Sequence, residues 1–285
     1  MARHAQAPVA APSADGLSPR TFRRIADLIE TRTGIKMPVS KIHLIEGRLM
    51  RRAREAGSES IEAYCHDVLT ARDDDPVLTD FFNAVTTNKT DFFREPVHFE
   101  VLADRVVPQW RGGGRRVLRC WSAAASTGME AYTLAMVLSR TLMAGEDFSV
   151  LATDLDTRVL AEARRGIYRI EDIAPVPADL RAACFARARD RTRPDVRVIP
   201  ELRRKVAFAR MNLMDGHYPV GDPMDVIFCR NVLIYFEKET QMQVISRLCA
   251  ALRPGGHLFL GHSESIHNFD LPLEPVAHTV FRKKG

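Results

Sequence analysis

An α/β sheet domain preceded by a small all-helical domain is the architecture the sequence predicts, and three observations predict it. No strand-like run occurs before about residue 115, whereas segments with helical spacing fill residues 18–85. From Arg116 onward the short apolar runs RVLRCW, DFSVLAT, KVAFARM, MDVIFC, HLFLG and HTVFR are mostly separated by helical segments, the pattern of a doubly wound, mostly parallel sheet. The first of these runs stops dead in the small residues Ser122 to Gly128 before a helix begins. In such folds that turn lies outside the carboxyl end of a strand, where ligands bind.

At 285 residues, 46% hydrophobic and 27% charged, the chain has an ordinary globular composition and room for one large domain or two smaller ones. No apolar run reaches the roughly 18 residues of a membrane span. Residues 1–17 are rich in Ala and Pro without the apolar centre of a signal peptide, so a disordered tail is expected. The five cysteines are odd in number and form no C-x-x-C, which predicts reduced thiols, a cytoplasmic protein and no zinc or other metal site.

In the helical region, TFRRIADLIETRTG places Phe22, Ile25, Leu28 and Ile29 on one face before Gly34. The next helix, about Ser40 to Ala56, turns Ile42, Ile45, Leu49 and Ala53 inward and leaves Lys41, Arg48, Arg51 and Arg52 as a basic stripe. SIEAYCHDVLT and VLTDFFNAV follow as two more helices around the turn DDDP. From Ser18 to Gly57 there are ten Lys/Arg and four Asp/Glu, and from Ser58 to Val85 one Arg and seven acids. Such segregation marks a charged recognition face or two solvated helices of opposite sign. Residues 86–96, TTNKTDFFREP, then join this domain (18–85) to the sheet domain (97–285).

Elimination narrows the ligand. A phosphate-binding loop needs a GK[ST] that is absent, and a dinucleotide turn needs G-x-G-x-x-G where this turn has only Gly128. A nucleoside cofactor without a diphosphate fits better, and S-adenosylmethionine is the common one. Its ribose hydroxyls call for a carboxylate at the end of the second strand, where Asp154 stands in LATDLD; Asp156 or Thr157 is better placed to cap the next helix. MDVIFCRNVLIYF runs a buried strand into Arg230-Asn231 and then Tyr235-Phe236, placing Asn231 and Tyr235 at the cofactor edge. LRPGGHLFLG reads as a helix end, a Pro-Gly-Gly turn and a strand.

TTNKTDFFRE, WSAAASTGMEAYTLAM, ATDLDTRVLAEARRGIY, FCRNVLIYF and LRPGGHLFLGHSES, in this order, resemble the chemotaxis receptor glutamate methyltransferases of the CheR family. The resemblance covers nearly everything after the tail. It implies a Rossmann-like S-adenosylmethionine-dependent methyltransferase domain with a small antiparallel β-subdomain inserted at about 168–204, with CFARAR and DVRVIPE as hairpin strands. It implies cofactor contacts from Asn88, Thr90 and Arg94, from Glu130, from Asp154, from Asn212 and Leu213, and from Arg230 and Asn231. Tyr235 and Arg94 are the implied catalytic residues, with Tyr235 close to the transferred methyl group. One departure is visible: the family commonly carries two acids after STG, and here Met129 precedes Glu130.

The implied chemistry agrees with the absence of any Ser-His-Asp or Cys-His constellation. A glutamate carboxylate is already ionised at pH 7, so methyl ester formation needs no general base. The resemblance also implies a chemoreceptor's acidic cytoplasmic coiled coil as partner, for which Lys41, Arg48, Arg51 and Arg52 form the receptor-binding face. Two other functions compete: a nucleic-acid methyltransferase, suggested by the basic pI, and a non-catalytic cofactor-binding sensor or adaptor. Some family members hold a C-terminal receptor pentapeptide by strand addition beside a glycine-bearing hairpin loop. The corresponding loop here, RARDRTRPDVR, has no glycine but has Arg187, Arg189, Arg191, Arg193, Pro194 and Arg197. Charged side chains and proline discourage edge pairing, so independence from such a tether is expected.

Overall fold

The structure, a computed structural model, describes residues 16–188, 190, 192–266 and 269–285. It divides into two compact units, residues up to 32 with 36–86, and residues 33–35 with 87–285. Most of the expected N-terminal tail lies outside the described residues. Leu17, at its end, is buried, and its N–H donates to Glu46 Oε1 at 3.0 Å.

The first unit is helical: α1 (Pro19–Thr33), a 3₁₀ turn (Val39–Lys41), α2 (Ile42–Glu55), α3 (Ile61–Thr70) and α4 (Pro76–Val85). Its core takes Phe22, Ile25 and Ile29 of α1 and Ile45, Leu49 and Ala53 of α2 from the sets that helical spacing selects, together with Phe81 and Val85 of α4, while Leu28 and Ile42, also expected inward, are half-buried. Ser60 accepts from the Ala63 N–H at 3.0 Å and Asp75 from the Val77 N–H at 2.9 Å, so each caps its helix. Pro76 fills the first helical position, where its missing N–H has no partner to lose.

The second unit opens with a helix that sequence pattern did not predict, α5 (Val97–Val101) continuing through a π-helical turn (Leu102–Val106) into α6 (Val107–Arg111). Then come β1 (Val117–Ala123), α7 (Met129–Thr141), β2 (Asp147–Asp154) and α8 (Thr157–Arg165). The insert follows, as β3 (Ile167–Arg169), α9 (Ala178–Cys184), β4 (Phe185–Arg187), β5 (Asp195–Val198) and α10 (Pro200–Arg203). Its strands form a separate antiparallel sheet in the order β3-β5-β4. The main sheet resumes with β6 (Val206–Arg210), β7 (Met224–Cys229), α11 (Lys238–Ala251), β8 (Leu252–Leu260), β9 (Leu273–Ala277) and β10 (Val280–Lys283).

The seven-stranded order is β6-β2-β1-β7-β8-β10-β9. The first five strands are parallel, and the last two pair antiparallel at the β8 edge. The chain winds from β1 outward through β2 to β6, then returns to build the other half from β7. The switch point therefore lies between β1 and β7, and the crevice at their carboxyl ends is where a ligand sits. Period-two alternation divides the core between the two faces: Leu118, Cys120, Val226 and Phe228 on one, Trp121, Ala123, Ile227 and Cys229 on the other.

Two strands of the main sheet also differ from expectation: β9 has no counterpart among the predicted runs, and β8 starts earlier than predicted. Pro254-Gly255-Gly256 is not a turn before a strand but part of β8 itself, whose register against β7 shifts between Met224 and Val226. The irregularity absorbs the two glycines at the start of an otherwise buried strand.

Candidate functional site

The small-residue turn after β1 answers its own question: it closes on the end of β2 and on the segment after residue 86. Ala124 and Ser126 adopt left-handed φ values of 69° and 50°. The Ala125 N–H reaches Thr153 O at 2.8 Å, the Ser126 N–H reaches Asp154 Oδ2 at 2.8 Å, and Ser126 Oγ donates to Asn88 O at 2.8 Å. Gly128 (φ 85°) admits no side chain, because a Cβ there would stand 2.8 Å from the Ala163 Cβ. Smallness here serves backbone-to-backbone approach.

Asp154 is buried, and its carboxylate is oriented from two sides, by Ser126 N–H and by the Asp156 N–H to Oδ1 at 2.9 Å. Burial raises its pKa, with those N–H bonds pulling the other way. Asp156 caps α8, accepting from Arg158 N–H at 2.9 Å, and its Oδ2 accepts from Asn88 Nδ2 at 2.8 Å. Asp154 is thus free of the capping task. Each carboxylate oxygen has two acceptor directions, so capacity remains for hydroxyls. On the next strand, Met211 N–H bonds Asp154 O at 3.0 Å, which carries Asn212 and Leu213 to the same end of the sheet. Asn212 Oδ1 closes its own turn by accepting from Met214 N–H at 3.0 Å.

The second half of the site centres on Arg230, whose side chain is 2% exposed. Its Nε donates to Glu130 Oε2 at 2.8 Å, and one terminal nitrogen reaches Arg94 O at 2.8 Å, His98 Nδ1 at 3.0 Å and Glu95 Oε2 at 3.4 Å. The guanidinium lies over the rings of Phe99 and Phe228 at 5.3 and 5.4 Å. Ser122 Oγ holds the other Glu130 oxygen at 2.6 Å. A buried charge is tolerable only with such pairing. Asn231, in the left-handed region at φ 58°, donates through Nδ2 to Glu95 Oε1 at 3.1 Å. Burial would raise Glu95, but Asn231 and Arg230 outweigh it and hold the carboxyl below its ordinary range.

Sequence reasoning passed over His98 and Glu95. Arg230 can only donate, so His98 Nδ1 accepts and its Nε2–H donates to Thr279 Oγ1 at 3.0 Å. Burial, helped by Arg230, pushes the His98 pKa down to about 4, so the ring is neutral. The only available signal was the His98-Phe99 pair, separated from FFRE by Pro96 and Val97. Glu95, His98 and His262 also stand close enough to hold a metal ion. The Arg230 guanidinium is already bonded to two of the three, which supplies the positive charge a cation would bring.

The remaining candidates are placed as follows. Thr90 and Arg94 are half-buried, with Arg94 donating to Lys89 O at 3.0 Å, while its carbonyl meets Arg230. Tyr235 ends a 3₁₀ turn (Leu233–Tyr235) and is half-buried against the α11-side core. The basic stripe belongs to the helical unit and is partly committed within it. Arg48 donates to Val85 O and Thr86 O at 2.6 and 2.9 Å, and Arg52 pairs with Asp80 and Glu55. Lys41 lies in the 3₁₀ turn, donating to Lys36 O at 3.4 Å. Arg51, paired with Glu55 at 3.0 Å, keeps 84% of its side chain exposed. Of the tether loop, Arg189 and Arg191 lie outside the described residues; β4, with exposed Arg187, is an edge strand of three residues.

The turn has no phosphate-binding glycines, and the carboxylates gathered in the site, buried Asp154 and Glu130 with half-buried Glu95, suit hydroxyls and a cationic sulfonium rather than a diphosphate. Comparison with known proteins agrees. Residues 20–86 match the all-alpha domain of CheR methyltransferase and residues 88–281 its SAM binding domain. The chemotaxis protein methyltransferase of Salmonella typhimurium is 42% identical over 93% of this chain and 90% of its own length. That of Escherichia coli is 41% identical over 93% and 91%, and chemotaxis protein methyltransferase 2 of Pseudomonas aeruginosa 39% identical over 91% of each.

Proposed function

This chain belongs to the CheR methyltransferase family and carries out S-adenosylmethionine-dependent methylation in chemotaxis adaptation; from that premise we propose that its substrates are chemoreceptors and its product the γ-methyl ester of their glutamates. When bound, S-adenosylmethionine supplies an electrophilic methyl group on a sulfonium. A glutamate carboxylate oxygen forms the new bond to that carbon as the carbon–sulfur bond breaks, the electron pair stays on sulfur, and no proton moves. The observation that carries the reading is a site built from carboxylates, amides and an arginine paired through Nε and one terminal nitrogen, in which, among the described residues, the one buried imidazole is neutral and already bonded at both nitrogens. Such a site orients reactants rather than transferring protons.

In this reading Asp154 accepts the ribose hydroxyls, and Asn88, Thr90, Glu130, Asn212, Leu213, Arg230 and Asn231 hold the rest of the cofactor. Arg94 and Tyr235 are the catalytic residues and orient the incoming carboxylate. Opposite charges neutralise in the transition state, so the protein contributes positioning and exclusion of water, worth up to about 7–11 kcal/mol in well-oriented cases. The helical unit engages the acidic coiled coil of the receptor, with Arg51 as the most exposed of the four stripe cations Lys41, Arg48, Arg51 and Arg52, and does so without a receptor C-terminal pentapeptide. A cytoplasmic setting goes with this reading, and among the described residues no helix is long and apolar enough to cross a membrane. The nucleic-acid and non-catalytic alternatives are not favoured by the family match. Incubation with methyl-labelled S-adenosylmethionine and receptor-bearing membranes tests the chemistry: label on a receptor-sized band that mild base removes is expected, and base-stable label or none refutes the ester.

A further inference from the structure

The stretch GHSES, which closes the last family motif, has no task in the account above, and its Glu264 is 4% exposed. Among the described residues no cationic side chain pairs with it. Four backbone N–H groups do: Asn231 at 2.9 Å and Gly261 at 2.6 Å to Oε2, and Val232 at 2.9 Å and Leu233 at 2.7 Å to Oε1. Three of these donors are consecutive. Left-handed Asn231 (φ 58°) followed by Val232 at φ −121° and ψ −35° turns successive N–H groups toward one point, the concavity that elsewhere binds anions. Here the chain fills it with its own carboxylate.

The same turn carries Arg230 and Asn231 at its start and Tyr235 at its end. It leaves β7 into a conformation that a non-glycine residue such as Asn231 adopts at some strain. Glu264 reaches it from beyond β8, on a loop that begins at Gly261. A Cβ at Gly261 would stand 2.5 Å from Asn231 Nδ2, 2.8 Å from Asn231 N and 2.9 Å from Glu264 Oε2. Glycine is therefore what lets the two strand ends close around the carboxylate.

We propose that Glu264 is a positioning residue for methyl transfer, fixing the 231–233 backbone so that Asn231 and Tyr235 meet the reacting groups in register. The proposal rests on the reading that Asn231 and Tyr235 line the methyl-transfer site. Burial raises the Glu264 pKa while its N–H partners lower it, consistent with a carboxylate whose whole compensation is that cradle.

Glu264→Gln tests this with little change of shape. Its amide oxygen can still accept two N–H groups, but its NH₂ must face the other two donors. Turnover per folded enzyme is measured well below the melting temperature, together with KM for receptor and methyl donor and calorimetric affinity for S-adenosylhomocysteine. The expected result is a kcat lower by about 10–100-fold, the scale of an ångström-level misplacement, with the receptor KM within about threefold and a loss of product affinity, through Asn231, clearly smaller than the loss of kcat. Glu264→Asp, which keeps the charge but is one methylene short, should recover part of the loss. A folded Glu264→Gln enzyme with wild-type kcat, or one in which affinity and kcat fall in parallel, overturns the proposal. If Glu264→Gln does not fold, Gly261→Ala pushes on Asn231 from the other side and should show the same kcat-selective loss; wild-type turnover there also overturns it. The base lability of the label reports separately on ester formation, whereas the variant-to-wild-type ratio reports on positioning whatever the chemistry of the label.

Discussion

Replacing Asp154 by Ala removes three things at once, and the structure separates them. The first is the acceptor expected for the ribose, a hydrogen bond to a charged group worth about 1.5–3 kcal/mol, or roughly a 10- to 150-fold rise in Kd. The other two are internal: Ser126 N–H at 2.8 Å and Asp156 N–H at 2.9 Å lose their acceptors. Each buried donor left without a partner costs about 1–3 kcal/mol of stability. Asp154→Ala should therefore bind S-adenosylhomocysteine weakly and melt several degrees lower, at about 2–4 °C per kcal/mol for a domain of this size. Asp154→Asn is the sharper perturbation. Its oxygen still satisfies one N–H while its NH₂ faces the other, so most of the shape is retained and the hydroxyl acceptor is lost. Calorimetric titration of both variants with S-adenosylhomocysteine, alongside thermal unfolding, is the assay. A folded Asp154→Asn protein with wild-type affinity refutes the ribose assignment, and a normal melt for Asp154→Ala refutes the internal one.

Arg51→Glu should slow receptor methylation at low salt, lose that effect as salt screens the surface, and leave product affinity unchanged; unchanged low-salt rates would remove Arg51 from the receptor face. His98, neutral with a pKa of about 4 against an ordinary 6.5, binds its proton more readily once unfolded. Its contribution is therefore complete above pH 6.5 and lost as pH falls toward 4, by about 2 kcal/mol at pH 5. His257 is also pushed down to about 4, so urea unfolding of His98→Gln should show a smaller loss between pH 7 and pH 5 than wild type, not none; an equal loss contradicts the buried neutral imidazole. A receptor C-terminal pentapeptide should bind negligibly, and a salt-insensitive Kd of about 1–10 μM, typical of a specific short-peptide contact, would establish a strand-type tether.

Much of this protein was legible in one dimension because its signals are local. Period-two and near-continuous apolar runs mark the strands, and 3.6-residue spacing selects Phe22, Ile25 and Ile29 or Ile45, Leu49 and Ala53 for the helical core. Ser122 to Gly128 reads as a close-approach turn because only small residues permit one, and Asp154 reads as a ligand acceptor because Asp156 stands two residues on to cap the helix. What only the tertiary structure decided are relations between residues far apart in the chain. The basic stripe is an example: spacing placed Arg48 and Arg52 on one helix face, but it could not reveal that the end and middle of α4 bind them. The helix over 97–111 went unpredicted because its π-helical turn breaks the 3.6-residue period. His98 is silent in sequence, since its role depends on an arginine 132 positions later. Glu264 is silent for the same reason: its partners are backbone N–H groups, which every residue but proline carries, and only the meeting of two strand ends aims four of them at one carboxylate.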